Sequence, residues 1–317
     1  MSPSAPEAAS LLRAHVFAHN GRKRFMHLLN VGHLYESTAR FTHAINGTHP
    51  RGADSLRGAY VSAINNFRPD LLPAKPEGFA ISYEDGGWAD HCRANGVFAH
   101  IVGPATPSDG PVRQAWDDNT MRAAELSRSI HPDLGRLVDL LVTDVVVFNS
   151  GVDGGGSANK MPGVVLMSPA ASWQPLDFAM CLVHEGLHAA LFILDTVNVI
   201  FEAPPEVLEG ERYQALSAVK IGQKRPLHAA FHAAAVAVPL MYMEHSQGMS
   251  RLVDKYTVSL REACKDMQTK RKYFTKYGRL LLDEMTEWAE TDPIDFDQVA
   301  HALSGAEFAG YQPAIVV

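Results

Sequence analysis

The chain has 317 residues, 46% of them hydrophobic and 20% charged, and a formal charge of −7. That length suits one large domain or two closely joined ones, the composition is that of an ordinary globular protein, and the acidic balance gives no general reason to expect nucleic acid as a partner. Three widely spaced cysteines (Cys92, Cys181, Cys264) form no C-x-x-C pattern, which argues against a disulfide framework and for a reducing compartment. Residues 1–24 hold no apolar core of a secretory signal, and no apolar run reaches membrane-spanning length, so a cytoplasmic protein is expected.

In chain order, residues 8–67 read as helical. Leu11, Leu12, Val16 and Phe17 form one apolar set, Phe25, Leu28, Leu29 and Leu34 a second, and Leu56, Tyr60 and Ile64 a third. His27 and His33 are six residues apart, which puts them on opposite faces of a helix and makes them ordinary structural histidines. Residues 79–83 and 97–102 are candidate strands, with Gly86-Gly87 as a turn between them. Residues 117–142 return to helix, broken near His131-Pro132, with Leu134, Leu137, Val138, Leu140 and Leu141 as the buried set. Residues 144–149 are a β-branched apolar run and hence a strand. Residues 151–157 are a glycine loop without the Lys-Ser/Thr ending or the spacing of a phosphate-binding motif. Residues 162–168 form a second strand, which leads to a helix starting near Gln174-Pro175. A strand beside that helix could hold an extended peptide by edge pairing.

That helix contains Leu182-Val183-His184-Glu185-Gly186-Leu187-His188, an H-E-x-x-H pattern. Residues i and i+4 stand on one helical face, so His184 and His188 can aim two imidazoles at one divalent metal. Glu185 lies beside them as a base or a supporting hydrogen-bond partner. The flanking residues Phe178, Ala179, Met180, Leu191, Phe192 and Leu194 make this a core helix, and the histidines are expected to be deep. The competing reading is a pair of core histidines bonded to backbone, with Cys181 as small core filler.

Residues 201–222 are acidic and Pro-broken, with Glu202, Glu206, Glu209 and Glu211. Then Lys224-Arg225-Pro226-Leu227 opens a second Ala/Val-rich helix that carries His228 and His232, again at i and i+4. A third metal ligand is sought here, with His232 the first choice and His228 the reserve. Arg225 at the start of this helix could pair bidentately with a carboxylate. Residues 250–290 form a long amphipathic helical stretch with a basic middle, most simply a solvated face, and residues 296–303 a short last helix. Two histidines and a third ligand leave open positions on the ion, so the site would be catalytic. A zinc hydrolase with Glu185 as base and a ferrous oxygenase taking a keto acid both fit.

The H-E-x-x-H segment, followed some 40 residues on by Lys224-Arg225-Pro226-Leu227 and preceded by Pro162-Gly163-Val164-Val165-Leu166, resembles a bacterial family. It is the family of H-E-x-x-H proteins that accompany ribosomally made peptide natural products, and the resemblance covers roughly residues 145–242. It implies an iron(II)- and 2-oxoglutarate-dependent oxygenase that hydroxylates side-chain β-carbons of a precursor peptide, built without a double-stranded β-helix. It implies His184, His188 and His232 as iron ligands, Arg225 with His228 toward the 2-oxoglutarate carboxylate, and Glu185 in support. The expected fold is a predominantly helical α+β protein with a zincin-like centre of strand and metal-binding helix. Residues 1–142 would be a mainly helical first region and residues 143–317 the metal-binding region with the C-terminal helices, the two forming one compact unit. The alternative is a zinc metallopeptidase, with Glu206 or Glu209 as third ligand.

Overall fold

The computed structural model describes residues 26–47, 50 and 52–304. It is predominantly helical with a small sheet, an α+β fold. Contacts divide the described residues into two units, one of residues 38–192 and one of residues 26–37 with 193–304. The apolar set Leu11, Leu12, Val16 and Phe17, and Phe25 of the second set, lie outside the described residues.

In chain order the first unit holds α1 (Val31–Asn46, whose first turns belong to the second unit), α2 (Ala53–Phe67), β1 (Ala80–Tyr83), α3 (Gly87–Asn95) and the single turn α4 (Ala99–Val102). There follow α5 (Gly110–Ile130), α6 (Pro132–Leu141), β2 (Asp144–Val147), β3 (Gly154–Gly156), β4 (Val164–Ser168) and α7 (Pro175–Asn198) as far as Phe192. The sheet order is β1-β2-β4-β3. β1, β2 and β4 are parallel, with Ile81, Val145 and Val165 in register. Residues 145–147 and 164–168 are all buried. This is why they read as near-continuous apolar runs, since a parallel strand is covered on both faces. β3 runs antiparallel to β4, pairs Gly155 with Met167, and forms one edge. Arg57 on α2 donates to the carbonyls of Leu140 (2.8 Å), Val142 (2.9 Å) and Gly78 (2.6 Å), so one guanidinium satisfies the backbone where α6 ends and β1 and β2 begin. The break between α5 and α6 falls at His131-Pro132 as expected. Proline has no N–H to continue α5 but fits the first turn of α6, and the His131 ring caps Asp133 N at 3.2 Å.

Several expectations are corrected here. Residues 97–102 are not a strand: Phe98 sits at φ 52° and α4 follows it. Gly86-Gly87 is not a turn between strands but the start of α3. The glycine loop is partly ordered as β3, because its backbone pairs with β4. β1 and β2, on either side of residue 142, pair in the one sheet.

The second unit holds α8 (Pro205–Leu208), β5 (Ala215–Leu216), β6 (Lys224–Arg225), α9 (Leu227–Ser246), α10 (Arg251–Thr269), α11 (Lys276–Ala289) and α12 (Phe296–Leu303). Every residue of α9 from Ala230 to Glu244 is buried. A helix apolar around its whole circumference has to be surrounded. α10 packs along it, and Phe231 joins Phe201 and Phe274 in an aromatic cluster with centroids 5.2 to 5.9 Å apart. The long stretch expected over 250–290 is two helices, because Thr275 accepts from Gly278 N at 3.1 Å and starts α11 afresh. In its basic middle, Lys270 pairs with Asp266 and Arg271 with Asp283, each at 2.6 Å. His27 and His33 do meet, their rings 5.9 Å apart, because His27 lies in a 3-10 turn ahead of α1 rather than on the helix. They are structural: His27 Nδ1 is 2.5 Å from Glu284 Oε1, and His33 Nε2 is 2.8 Å from the Tyr277 hydroxyl.

Candidate metal centre

α7 starts where its sequence says it should. Pro175 opens it, and the Asp177 carboxylate in the first turn accepts from Gln174 N at 2.8 Å, the return half of a capping box. By length and composition this helix could cross a membrane, with a mean hydropathy of 1.4 over its 18-residue window. This corrects the expectation that no apolar run is long enough, although 67% of that window is buried inside the protein. Gly186, between the two histidines, brings the helix close to α6: a Cβ there would lie 2.7 Å from Leu137 Cδ2. Leu182, Val183, Leu187, Ala190 and Leu191 are buried, whereas Cys181, His184 and His188 form a half-buried stripe. The histidines are therefore shallower than expected and only Glu185 is deep, with 5% of its side chain exposed against 29% for His184.

On that stripe the two Nε2 atoms are 3.1 Å apart, with ring centroids separated by 4.8 Å. Two imidazoles bound at zinc-like lengths to one ion would hold their nitrogens about 3.0–3.4 Å apart. The pair fits a divalent metal. Among the described residues His184, Glu185 and His188 form a group whose ligand atoms all lie within 4.8 Å of one another. Burial holds the His184 pKa down to about 4. Its ring is therefore neutral near pH 7, with a lone pair to offer a metal, and its 3.7 Å approach to Glu185 Oε1 is not an ion pair. Burial pushes the Glu185 carboxyl up to about 7, opposed by a hydrogen bond from Ser157. The Ser157 hydroxyl donates to Oε2 at 2.7 Å. One turn earlier, burial and then the Glu185 charge keep the Cys181 thiol well above its ordinary range, so it is an unreactive neighbour.

β3 closes over this face. A Cβ on Gly155 would come within 2.6 Å of Cys181 Sγ, 2.9 Å of Leu166 O and 3.3 Å of Glu185 Oε1. Gly155 is required there by the close approach of strand and helix. Neither Ser157 nor Gly155 was assigned a role from sequence. The available signal was a glycine run ending in serine, but nothing local to it points to Glu185.

The remaining expected site residues belong to the second unit. Arg225 lies on β6, paired with Ala215, rather than at the start of the helix. His228 and His232 occupy the first turns of α9. His232 is 8% exposed, and burial, followed by the positive charges of His228 and Arg225, holds its pKa to about 3. His228 is half-buried and lowered by burial, with Glu209 opposing and Arg225 adding to the shift. Glu206 and Glu209, the alternative ligands, are exposed. No protein-family model matches the chain, and no curated protein does.

Proposed function

We propose that the protein is a metal-dependent peptide-modifying enzyme, an iron(II)- and 2-oxoglutarate-dependent oxygenase that hydroxylates a side-chain β-carbon in a ribosomally made precursor peptide. The observation that carries the metal part is the 3.1 Å convergence of the His184 and His188 Nε2 atoms on a half-buried helical stripe. The oxygenase part rests on the resemblance of the H-E-x-x-H and Arg-Pro-Leu segments. In this reading His184 and His188 hold the ion, and His232 would be the third ligand. Arg225, with His228, would receive the far carboxylate of the keto acid. Bound iron(II), 2-oxoglutarate and dioxygen would together supply the oxidant for the C–H bond. The chain itself keeps the imidazoles neutral and holds Glu185 beside them. Strand β4, edge strand β3 and helix α7 make the zincin-like centre of the proposal, with the free edge of β3 offering backbone groups to an extended peptide.

The test is anaerobic loading with iron(II), then titration with 2-oxoglutarate followed in the visible spectrum. A metal-to-keto-acid charge-transfer band is expected, absent in His184→Ala and weaker in Arg225→Ala. A second reading, zinc metallopeptidase, is favoured by one contact: Glu185 Oε1 lies 3.7 Å from a ligand nitrogen, where a carboxylate can deprotonate bound water. If no band forms and one zinc per chain is retained, that reading takes first place. Glu185→Gln then separates them, since it abolishes peptidase turnover and leaves oxygenase activity. A protein that binds neither metal has structural histidines and is at most a peptide-binding accessory.

A further inference from the structure

Glu185 has two carboxylate oxygens with different surroundings. Oε2 accepts the Ser157 hydroxyl at 2.7 Å, while Oε1 faces His184 Nε2 at 3.7 Å. A glutamate side chain this close to two ligand nitrogens can swing onto the ion and occupy a coordination position, because carboxylates bind divalent metals readily. A contact on the other oxygen opposes that swing. Ser157 supplies that contact.

The backbone that carries Ser157 is gripped from both faces. Ser157 follows directly on β3, whose register with β4 pairs Gly156 with Leu166. Successive strand residues point to opposite faces. Gly155 lies against Cys181 and Glu185, and Gly156 lies against the Phe98 ring, where an added Cβ would come within 2.5 Å of Cε1. Phe98 itself sits at φ 52°, a left-handed conformation that is strained for a residue with a side chain. Strain of this kind persists where the surroundings over-determine the backbone, commonly next to functional sites. Here it seats the ring that backs β3.

Building on the metal-centre reading above, we infer that Ser157 is a positioning residue: its hydroxyl anchors Glu185 by one oxygen so that the carboxylate stays beside the metal pair without becoming a ligand. The positions left open on the ion therefore depend on a residue that never touches it. Ser157→Ala releases the carboxylate to bind, and Ser157→Thr keeps the hydroxyl and hence the anchor.

The experiment loads the full-length chain with cobalt(II) and records the d–d spectrum, which reports coordination number and ligand type. The wild type is expected to take up cobalt, and Ser157→Ala to shift the band maximum and lower its intensity as Glu185 joins the ion. Ser157→Thr should give the wild-type spectrum. In a Glu185→Ala background, Ser157→Ala should change nothing, since no carboxylate remains to release. Identical spectra for wild type and Ser157→Ala overturn the positioning role while leaving the metal centre standing. A Ser157→Ala shift that persists without Glu185 also overturns it, because the effect then runs through β3 packing. A wild-type chain that takes up no cobalt overturns the metal reading, and the inference with it.

Discussion

His184 and His188 on α7 and His228 and His232 on α9 share one spacing, i and i+4, on two helices rich in apolar residues. Their surroundings differ. The α7 pair lies on a half-buried stripe, its Nε2 atoms 3.1 Å apart and a carboxylate alongside. In the α9 pair His228 is half-buried and His232 almost fully buried, with the Arg225 charge acting on both. Helical periodicity makes both pairs face one way. What the pair can then do depends on the charge and burial that tertiary structure adds: Glu185 lies directly beside the α7 ligand atoms, whereas at His228 the carboxylates of Glu209, Asp195 and Glu206 pull against burial and the Arg225 guanidinium.

His184→Ala or His188→Ala should lower divalent metal affinity at least about 100-fold, measured as metal per chain after dialysis, since even partners outside the ligand set cost 10–100-fold. His232→Ala under the same conditions decides whether the α9 pair shares in the site. Equal loss assigns His232 as a ligand, and full retention confines the site to α7.

The pH dependence of metal-free stability sharpens the same contrast. His184 and His232 are held near 4 and 3 in the folded protein, against 6.5 when unfolded. Below pH 6.5 the unfolded chain therefore binds protons that the folded chain refuses. Stability is full above that value and drains away as pH falls toward 4 and then 3. Glu185 acts in the opposite sense. Raised from 4.5 to about 7, its contribution is full below pH 4.5 and is lost as pH rises through 7. Urea midpoints of the apoprotein should fall from pH 6.5 to 4.5 in a way that His232→Gln flattens. Glu185→Gln should raise the midpoint above pH 7.

Gly155→Ala concerns the strand that backs the α7 pair. Its Cβ would press on a backbone oxygen, Leu166 O, as well as on Cys181 Sγ, so neither relief is free. A loss of about 1–3 kcal/mol is expected from such overpacking, read by denaturant titration. The smallest effect is a gain. Val199 follows the end of α7 at φ 55° with an exposed side chain, a position that glycine fills without penalty. Val199→Gly should raise stability by up to about 1 kcal/mol, because the relieved left-handed strain exceeds the added freedom of the unfolded chain. A lowered thermal midpoint would show that Val199 contributes packing instead.

Much of the frame could be read in advance. The Val145–Val146–Val147 and Val164–Val165 runs became β2 and β4, His131-Pro132 ended one helix and began the next, and Gln174-Pro175 opened α7. Each of these depends on residues within a few positions of one another. Where the reading failed, the deciding partner was distant. Residues 97–102 are apolar enough for a strand, but Phe98 turns left-handed and its ring covers Gly156, some 58 residues on. The glycine loop became β3 through backbone pairing with β4, which no side-chain pattern of three glycines can announce.

The candidate centre divides in the same way. The sequence alone determined that His184 and His188 share a helical face and that Glu185 lies next to them, because 3.6 residues per turn leaves no other arrangement. Packing of the folded chain, in contrast, left the histidine stripe half-buried and Glu185 deep. Folding also set the Ser157 hydroxyl on one of its oxygens, and the resulting burial moves the carboxyl to about 7. Those outcomes depend on how closely a strand 30 residues earlier approaches the helix, a distance set by Gly155, Cys181 and Phe98 together. Periodicity belongs to the local chain, whereas desolvation and hydrogen-bond partners belong to whatever the folded chain brings alongside.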